Sequence, residues 1–258
     1  MQGQVALVTG ASRGLGAASA RILAAEGVDL FLTGRDPELL AEIATELRGL
    51  GREVMWRSAD LTEPGIADKV AAAAEAHFPQ IHILVNSAGS SQGGLFWEIP
   101  DQVWEDSLAL KFMGTLRMIR AVLPGMRTHG YGRIVNIVGN TGKQPGARLL
   151  PGSTANAALL ALTRGLANEV AGDGITLNAV NPGPTRTERW TNMMDSFARD
   201  GGQTPAEVEQ TFMDQVPSGR LAEPEEIARM VAFLSSRHAG HITGTSITAD
   251  GGATQALA

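Results

Sequence analysis

The sequence predicts a single α/β domain built on a doubly wound parallel sheet of about seven strands flanked by helices. Three observations predict it. Short apolar runs alternate with longer helical patterns along the whole chain, which is how repeated βαβ units read. Several of those runs, VALVTG, IHILVN and GRIVNIV, are almost continuously apolar, as strands covered by helices on both faces must be. A glycine-rich turn, TGASRGLG, follows the first run directly and opens into a helix.

Taken in order, strands are expected over residues 5–9, 28–33, 53–58, 81–86, 133–138, 176–181 and 242–248. A helix follows the first glycine turn, and further helices are expected over 37–50, 66–78, 101–126, 154–171 and 223–234. Right-handed crossovers between successive strands then wind the sheet in both directions. One long irregular insertion, 182–217, separates the sixth strand from the last helix. No linker, repeat or low-complexity segment interrupts the 258 residues, so one domain is expected, large enough to bury a self-sufficient core.

The bulk numbers exclude several classes of function. A net charge of −6 and an isoelectric point near 5.4 argue against a surface for nucleic acid or an anionic membrane, both of which favour basic patches. No apolar run is long enough to span a bilayer. The opening MQGQVALVTG lacks a basic region followed by an apolar core and cleavage site, so a cytoplasmic protein is expected. Zero cysteines removes disulfides, thiolate metal sites and a Cys nucleophile.

The first turn carries Gly10, Ser12, Arg13, Gly14, Leu15 and Gly16, spaced G-x-x-x-G-x-G. Glycines permit close backbone approach there, and the helix N-terminus offers free N–H groups to a pyrophosphate. The second strand ends in Thr33-Gly34-Arg35, where an NAD-preferring site usually places an acidic residue on the ribose 2′-hydroxyl. With Arg13, Arg35 can clamp a 2′-phosphate in bidentate geometry; the alternative is two solvated surface arginines. Together they predict NADP(H) in preference to NAD(H). Asp60 and Leu61 end the third strand, where a short carboxylate can meet an adenine amino group. Asn86, Ser87, Ala88 and Gly89 end the fourth with small residues, leaving room for a ribose.

These residues resemble the classical short-chain dehydrogenase/reductase (SDR) superfamily across essentially the whole chain. The resemblance runs through TGASRGLG at 9–16, the Asp60-Leu61-Thr62 turn, NSAG at 86–89, close to the family's NNAG, and GRIVNI at 132–137. It continues, in the family's order and spacing, through LNAVNPGPTRT at 177–187, RLAEPEEIA at 220–228 and ITGTSITADGG at 242–252. It implies a Rossmann-type domain over 1–258, with Pro182, Gly183, Thr185 and Thr187 along the nicotinamide end of the cofactor. It also implies a lid over the substrate at about 183–217 and a homotetramer or homodimer packed through the fourth and fifth long helices.

The family's chemistry rests on a tyrosine that protonates the substrate oxygen, a lysine four residues later, a serine upstream and a helical asparagine. Registering GRIVNIVGNTG puts Gly139 at the serine position. Registering GSTANAALLALTRGLA puts Gly152 at the tyrosine and Asn156 at the lysine, and LKFMGT puts Lys111 at the asparagine. All four positions depart from the pattern. The single tyrosine, Tyr131, precedes the fifth strand and sits at its N-terminal end, whereas ligands bind beyond the C-terminal ends. His77, His82, His129, His238 and His241 fall on that same wrong edge.

Near the productive edge remain Lys111, Asn140, Thr141, Lys143, Arg148, Ser153, Thr154, Asn156, Arg186, Glu188 and Arg189. Lys111 and Asn156 are the candidate catalytic residues: an amide and an ammonium have traded helices, keeping one cation in the pocket. Lys111 is then a proton donor whose pKa is lowered by burial; the alternative is a snorkelling surface lysine. Lys143 and Arg148 either lie in a solvated loop or hold a substrate anion. Trp190, Met193, Met194, Phe197, Phe212 and Met213 of the insertion either meet an apolar or ring-shaped substrate or pack the insertion onto the body. Three readings follow: an NADP(H)-dependent oxidoreductase with a rebuilt site, a catalytically silent NADP(H)-binding sensor or assembly partner, and a non-redox isomerase or cyclase.

Overall fold

Seven strands pair in the order β3-β2-β1-β4-β5-β6-β7, all parallel, in the computed structural model, which describes residues 1–90 and 92–255. They are β1 (Val5–Thr9), β2 (Asp29–Gly34), β3 (Val54–Ser58), β4 (Ile83–Asn86), β5 (Gly132–Ile137), β6 (Ile175–Pro182) and β7 (Ser246–Ala249). The chain winds outward from β1 through β2 to β3, then crosses back to β4. The order therefore reverses between β1 and β4, which opens a crevice beyond their C-terminal ends.

Strand alternation builds two cores. Ala6 and Val8 of β1 point to one face, where α1 (Gly14–Ala25), α2 (Pro37–Arg48) and α9 (Pro224–Ser235) pack. Val5 and Leu7 point to the other, covered by α3 (Ile66–Glu75), α5 (Gly114–His129) and α6 (Leu150–Val170). With both faces dry, the strands tolerate apolar residues at every position, which is why they read as unbroken runs. Among the described residues no helix is long and apolar enough to cross a membrane.

Four expectations need correction. The helix expected over 101–126 is α4 (Asp101–Ser107), a π-helical turn over Leu108–Met113, then α5, which continues to His129. The helix expected from 154 begins at Leu150, because Pro151 suits a first helical turn, so Gly152 and Ser153 are helical. The strand expected over 242–248 starts only at Ser246, since Gly244 sits at φ +69° in a turn that donates to Leu177 O. The insertion is not irregular: it folds into α7 (Glu188–Gly201) and α8 (Pro205–Met213).

Both new helices are capped by threonine, and Thr204 with Glu207 forms a reciprocal capping box. Their apolar side chains make a third, smaller cluster of Trp190, Met194, Phe197, Ala198, Val208 and Leu221. Trp190 also donates from Nε1 to Glu209 at 2.7 Å, and Phe212 stacks on Phe197. Packing within the insertion thus accounts for most of its aromatic and methionine residues.

Candidate active site

At the crevice, the glycine turn is shaped by contacts that a side chain would destroy. A Cβ at Gly10 would lie 2.9 Å from Ala88 N, and one at Gly16 would overlap Gly10 O. Gly14, at φ +56°, faces open space except for the Thr187 methyl at 3.8 Å. A Cβ at Gly34 would crowd the Ser12 hydroxyl at 3.2 Å. Arg13 precedes α1 without a side-chain cap, so the first N–H groups of that helix stay available to an anion. Leu15 tucks against the core behind the loop. This geometry fits a dinucleotide pyrophosphate.

The neighbouring strand ends add the rest of the cradle. Thr9 Oγ1 accepts from both Ser87 N and Ala88 N at 3.1 Å, locking the two strand ends together, a role that its place in TGASRGLG does not signal. Asn86 is buried and donates to Asn136 Oδ1, which leaves Ala88 and Gly89 to line the opening. Asp60 accepts from Thr62 N and Oγ1. Burial raises its pKa, but those bonds and the nearby Arg35 charge outweigh it and hold the carboxyl below its usual range. Leu61, in contrast, faces inward against α5, where Gly114 admits it.

Arg13 and Arg35 are not found as a pair. Arg35 is exposed at the β2 end, as expected, whereas Arg13 bridges Asp36 at 3.1 Å and Glu188 at 2.9 Å. Pro182 and Gly183 continue from β6, and Gly183 is required because a Cβ there would strike Asp250 at 2.5 Å. Thr185 Oγ1 donates to Gly183 O, and Thr187 caps α7. The start of α7 therefore stands directly over the glycine turn. Asp250 accepts from Gly252 N, Thr254 N and Asn140, tying the last strand to the turn after β5.

Positions 111, 139 and 156 come together at the end of β5. The π-helical turn carries Lys111, 6% exposed, inward to donate from Nζ to Val138 O at 2.6 Å. Burial, and then the charge of Arg189, push its pKa down to about 7. Asn156, also buried, donates to Thr141 Oγ1 at 2.9 Å, and its Oδ1 has no partner among the described residues. Gly139 sits at φ +134°, and a Cβ there would lie 2.9 Å from Asn156 Nδ2. The room that glycine leaves is already filled by that amide. Gly152 lies one turn before Asn156 on α6, whose start is tied to α4 through Ser107 and Pro151 O.

Other candidates fall away. Lys143 donates to Ser246 O, and Arg148 pairs with Asp200 while lying 4.5 Å over the Phe197 ring. Both are held by the protein's own groups. Tyr131 accepts from Gln4, and His82 accepts from Val5 N, at the opposite edge of the sheet. Arg189 is exposed in surface area, although desolvation lowers the pKa of its guanidinium. That combination describes a group on the wall of an open cleft, and it donates to Gly89 O at 3.2 Å.

A dinucleotide cradle at the switch point of this sheet defines a class, and the comparisons give its family. The family model for short chain dehydrogenase matches residues 4–196. The chain belongs to that family. It is 34% identical over 251 residues to the 3-oxoacyl-(acyl-carrier-protein) reductase FabG of Escherichia coli, covering 97% of both chains. Its fold superposes on actinorhodin polyketide ketoreductase with NADPH at a TM-score of 0.94 and 33% identity, covering 98% of each chain. It matches L-sorbose reductase from Gluconobacter frateurii, complexed with NADPH and L-sorbose, at 0.93 and 32%, covering 100% and 98%. The chain is an SDR oxidoreductase by family.

Proposed function

We propose that this protein is an NADP(H)-dependent reductase whose rebuilt site serves an acceptor already electron-poor, such as a conjugated C=C or an iminium. The single observation that carries the reading is Lys111: a buried side chain, its pKa lowered to about 7, donating to Val138 O at the end of β5, where the family resemblance would put the nicotinamide. The α1 N-terminus would hold the pyrophosphate, Asp60 the adenine, Arg35 the 2′-phosphate, joined by Arg13 once it exchanges its Asp36 and Glu188 contacts for the phosphate, and Thr185 to Thr187 the nicotinamide end. When bound, the cofactor supplies hydride. An iminium carries its own proton on nitrogen, and a conjugated C=C needs one at the α carbon, which Lys111 Nζ can deliver. An unactivated ketone, which needs a strong acid at its oxygen, is a poor substrate here. The NADPH in the two similar structures supports the same choice of cofactor. The same reading carries a cytoplasmic homodimer or homotetramer joined through α5 and α6, and a lid formed by α7 and α8.

One observation favours a second reading, a silent NADP(H)-binding sensor or assembly partner: Lys111 is already committed to a backbone carbonyl. Calorimetric titration with NADPH, NADP⁺, NADH and NAD⁺ tests both. NADPH is expected to bind in the micromolar range, and Arg35→Ala to weaken it about tenfold, or 1.4 kcal/mol. Turnover of a conjugated or iminium acceptor, lost in Lys111→Met, then selects the reductase. Binding without transfer to any acceptor selects the silent form, and no nucleotide binding sinks both.

A further inference from the structure

We propose that Arg189 and Lys111 together form an anion subsite that holds a carboxylate of the substrate at the nicotinamide end of the cleft. The inference rests on the reductase reading and adds the class of substrate. Both side chains converge on one residue. Arg189, from the first turn of α7, donates to Gly89 O at 3.2 Å. The Lys111 stem lies against the same residue, where a Cβ at position 89 would come within 3.3 Å of its Cγ and Cδ. Glycine at 89 therefore permits the two cations to approach from different elements.

Neither cation forms an ion pair among the described residues, whereas Arg13, Arg148, Arg186 and Arg220 all do. Two like charges held together without a carboxylate disfavour each other's charged form, and a bridging anion relieves both. A guanidinium fork matches a carboxylate in shape, while an ammonium adds a point charge from a second direction.

The cofactor's phosphates are the other source of an anion. The 2′-phosphate end lies beyond β2, two strands away, whereas Gly89 follows β4 beside β1, so the pyrophosphate is the nearer rival and the variants below must separate the two. A neutral substrate gains nothing from two unpaired cations. A conjugated or imino acid gains orientation from both.

The test uses the protein saturated with NADP⁺ and titrated calorimetrically at neutral pH. The probes are benzoate and cyclohexanecarboxylate, each against its neutral carboxamide. Both carboxylates are expected to bind, with the amides about tenfold weaker or worse. Arg189→Gln should cost the carboxylates about tenfold while leaving NADPH affinity within about twofold, and Arg189→Lys should fall between. Lys111→Met is the second variant and should lower carboxylate affinity in the same direction. Equal binding of acids and amides, or no binding of either by a protein that takes NADPH, overturns the subsite alone. Arg189→Gln weakening NADPH instead would assign the anion to the cofactor and overturn it too. A wild-type protein that takes no NADPH overturns the reductase reading itself.

Discussion

Lys111 carries a charge in a place that disfavours charge, and that has a thermodynamic signature. Its pKa falls from the ordinary 10.5 to about 7 in the folded chain, first through burial and then through Arg189. Between those values the unfolded chain binds a proton that the native chain has released. Stability therefore rises with pH across that window, and is lowest below about pH 7, where the native state must keep the buried ammonium. Relative to Lys111→Met, the wild type should gain up to about 1.4 kcal/mol per pH unit between roughly pH 7 and pH 9. Urea midpoints of the two proteins across that range check it; parallel curves would mean that the ammonium is solvated. The residue itself was legible, because LKFMGT registers against a family pattern. Its partner was not: Val138 O is a backbone atom, and residue type does not encode where a backbone carbonyl points. The ion pairs of Arg13 were hidden for a related reason, since Asp36 and Glu188 reach it from two other elements.

Two short irregular elements decide the shape of the site. The π-helical turn over Leu108–Met113 swings Lys111 inward, and such turns recur at functional sites because they re-aim a side chain that a regular helix would point elsewhere. Facing it, the turn that opens at Gly139 keeps a left-handed φ and presses against the Asn156 amide. Gly139→Ala should therefore destabilise the protein by about 1–3 kcal/mol, through backbone strain and crowding together. Adding Asn156→Ala should recover the crowding part, so the two substitutions are expected to be non-additive in chemical denaturation. Strict additivity would mean that the amide does not occupy the space beside the glycine. Placing serine at 139 alone would meet the same obstacle. The strands were readable because apolar runs record burial on both faces. A π-helical turn of six residues is too short to imprint its wider i→i+5 spacing on the apolar pattern, so 101–126 read as one helix. The insertion hid its helices behind a mixed apolar and charged composition, although Thr187 and Thr204 supplied legible start signals.

At the scale of the whole molecule, the crevice belongs to the sheet rather than to any one helix. Residues after β1, β2, β3, β4 and β6 converge on it, and α7 reaches over it to meet Arg13 on one side and Gly89 on the other. A ligand seated there touches both sides of the strand-order reversal at once. Its binding free energy should therefore add to the stability of the entire domain and not to one loop. With NADPH at about 100 times its Kd, the added stability is about 2.7 kcal/mol. For a chain of this size that raises Tm by about 5–10 °C. The transition should stay single, because both cores share the same seven strands. NADH at the same concentration should give a smaller shift, and Arg35→Ala should narrow the gap between the two nucleotides. Differential scanning calorimetry reads all of this in one series. Equal shifts with NADPH and NADH would remove Arg35 from cofactor choice, and an early, separate transition would mean that the crevice melts independently of the sheet.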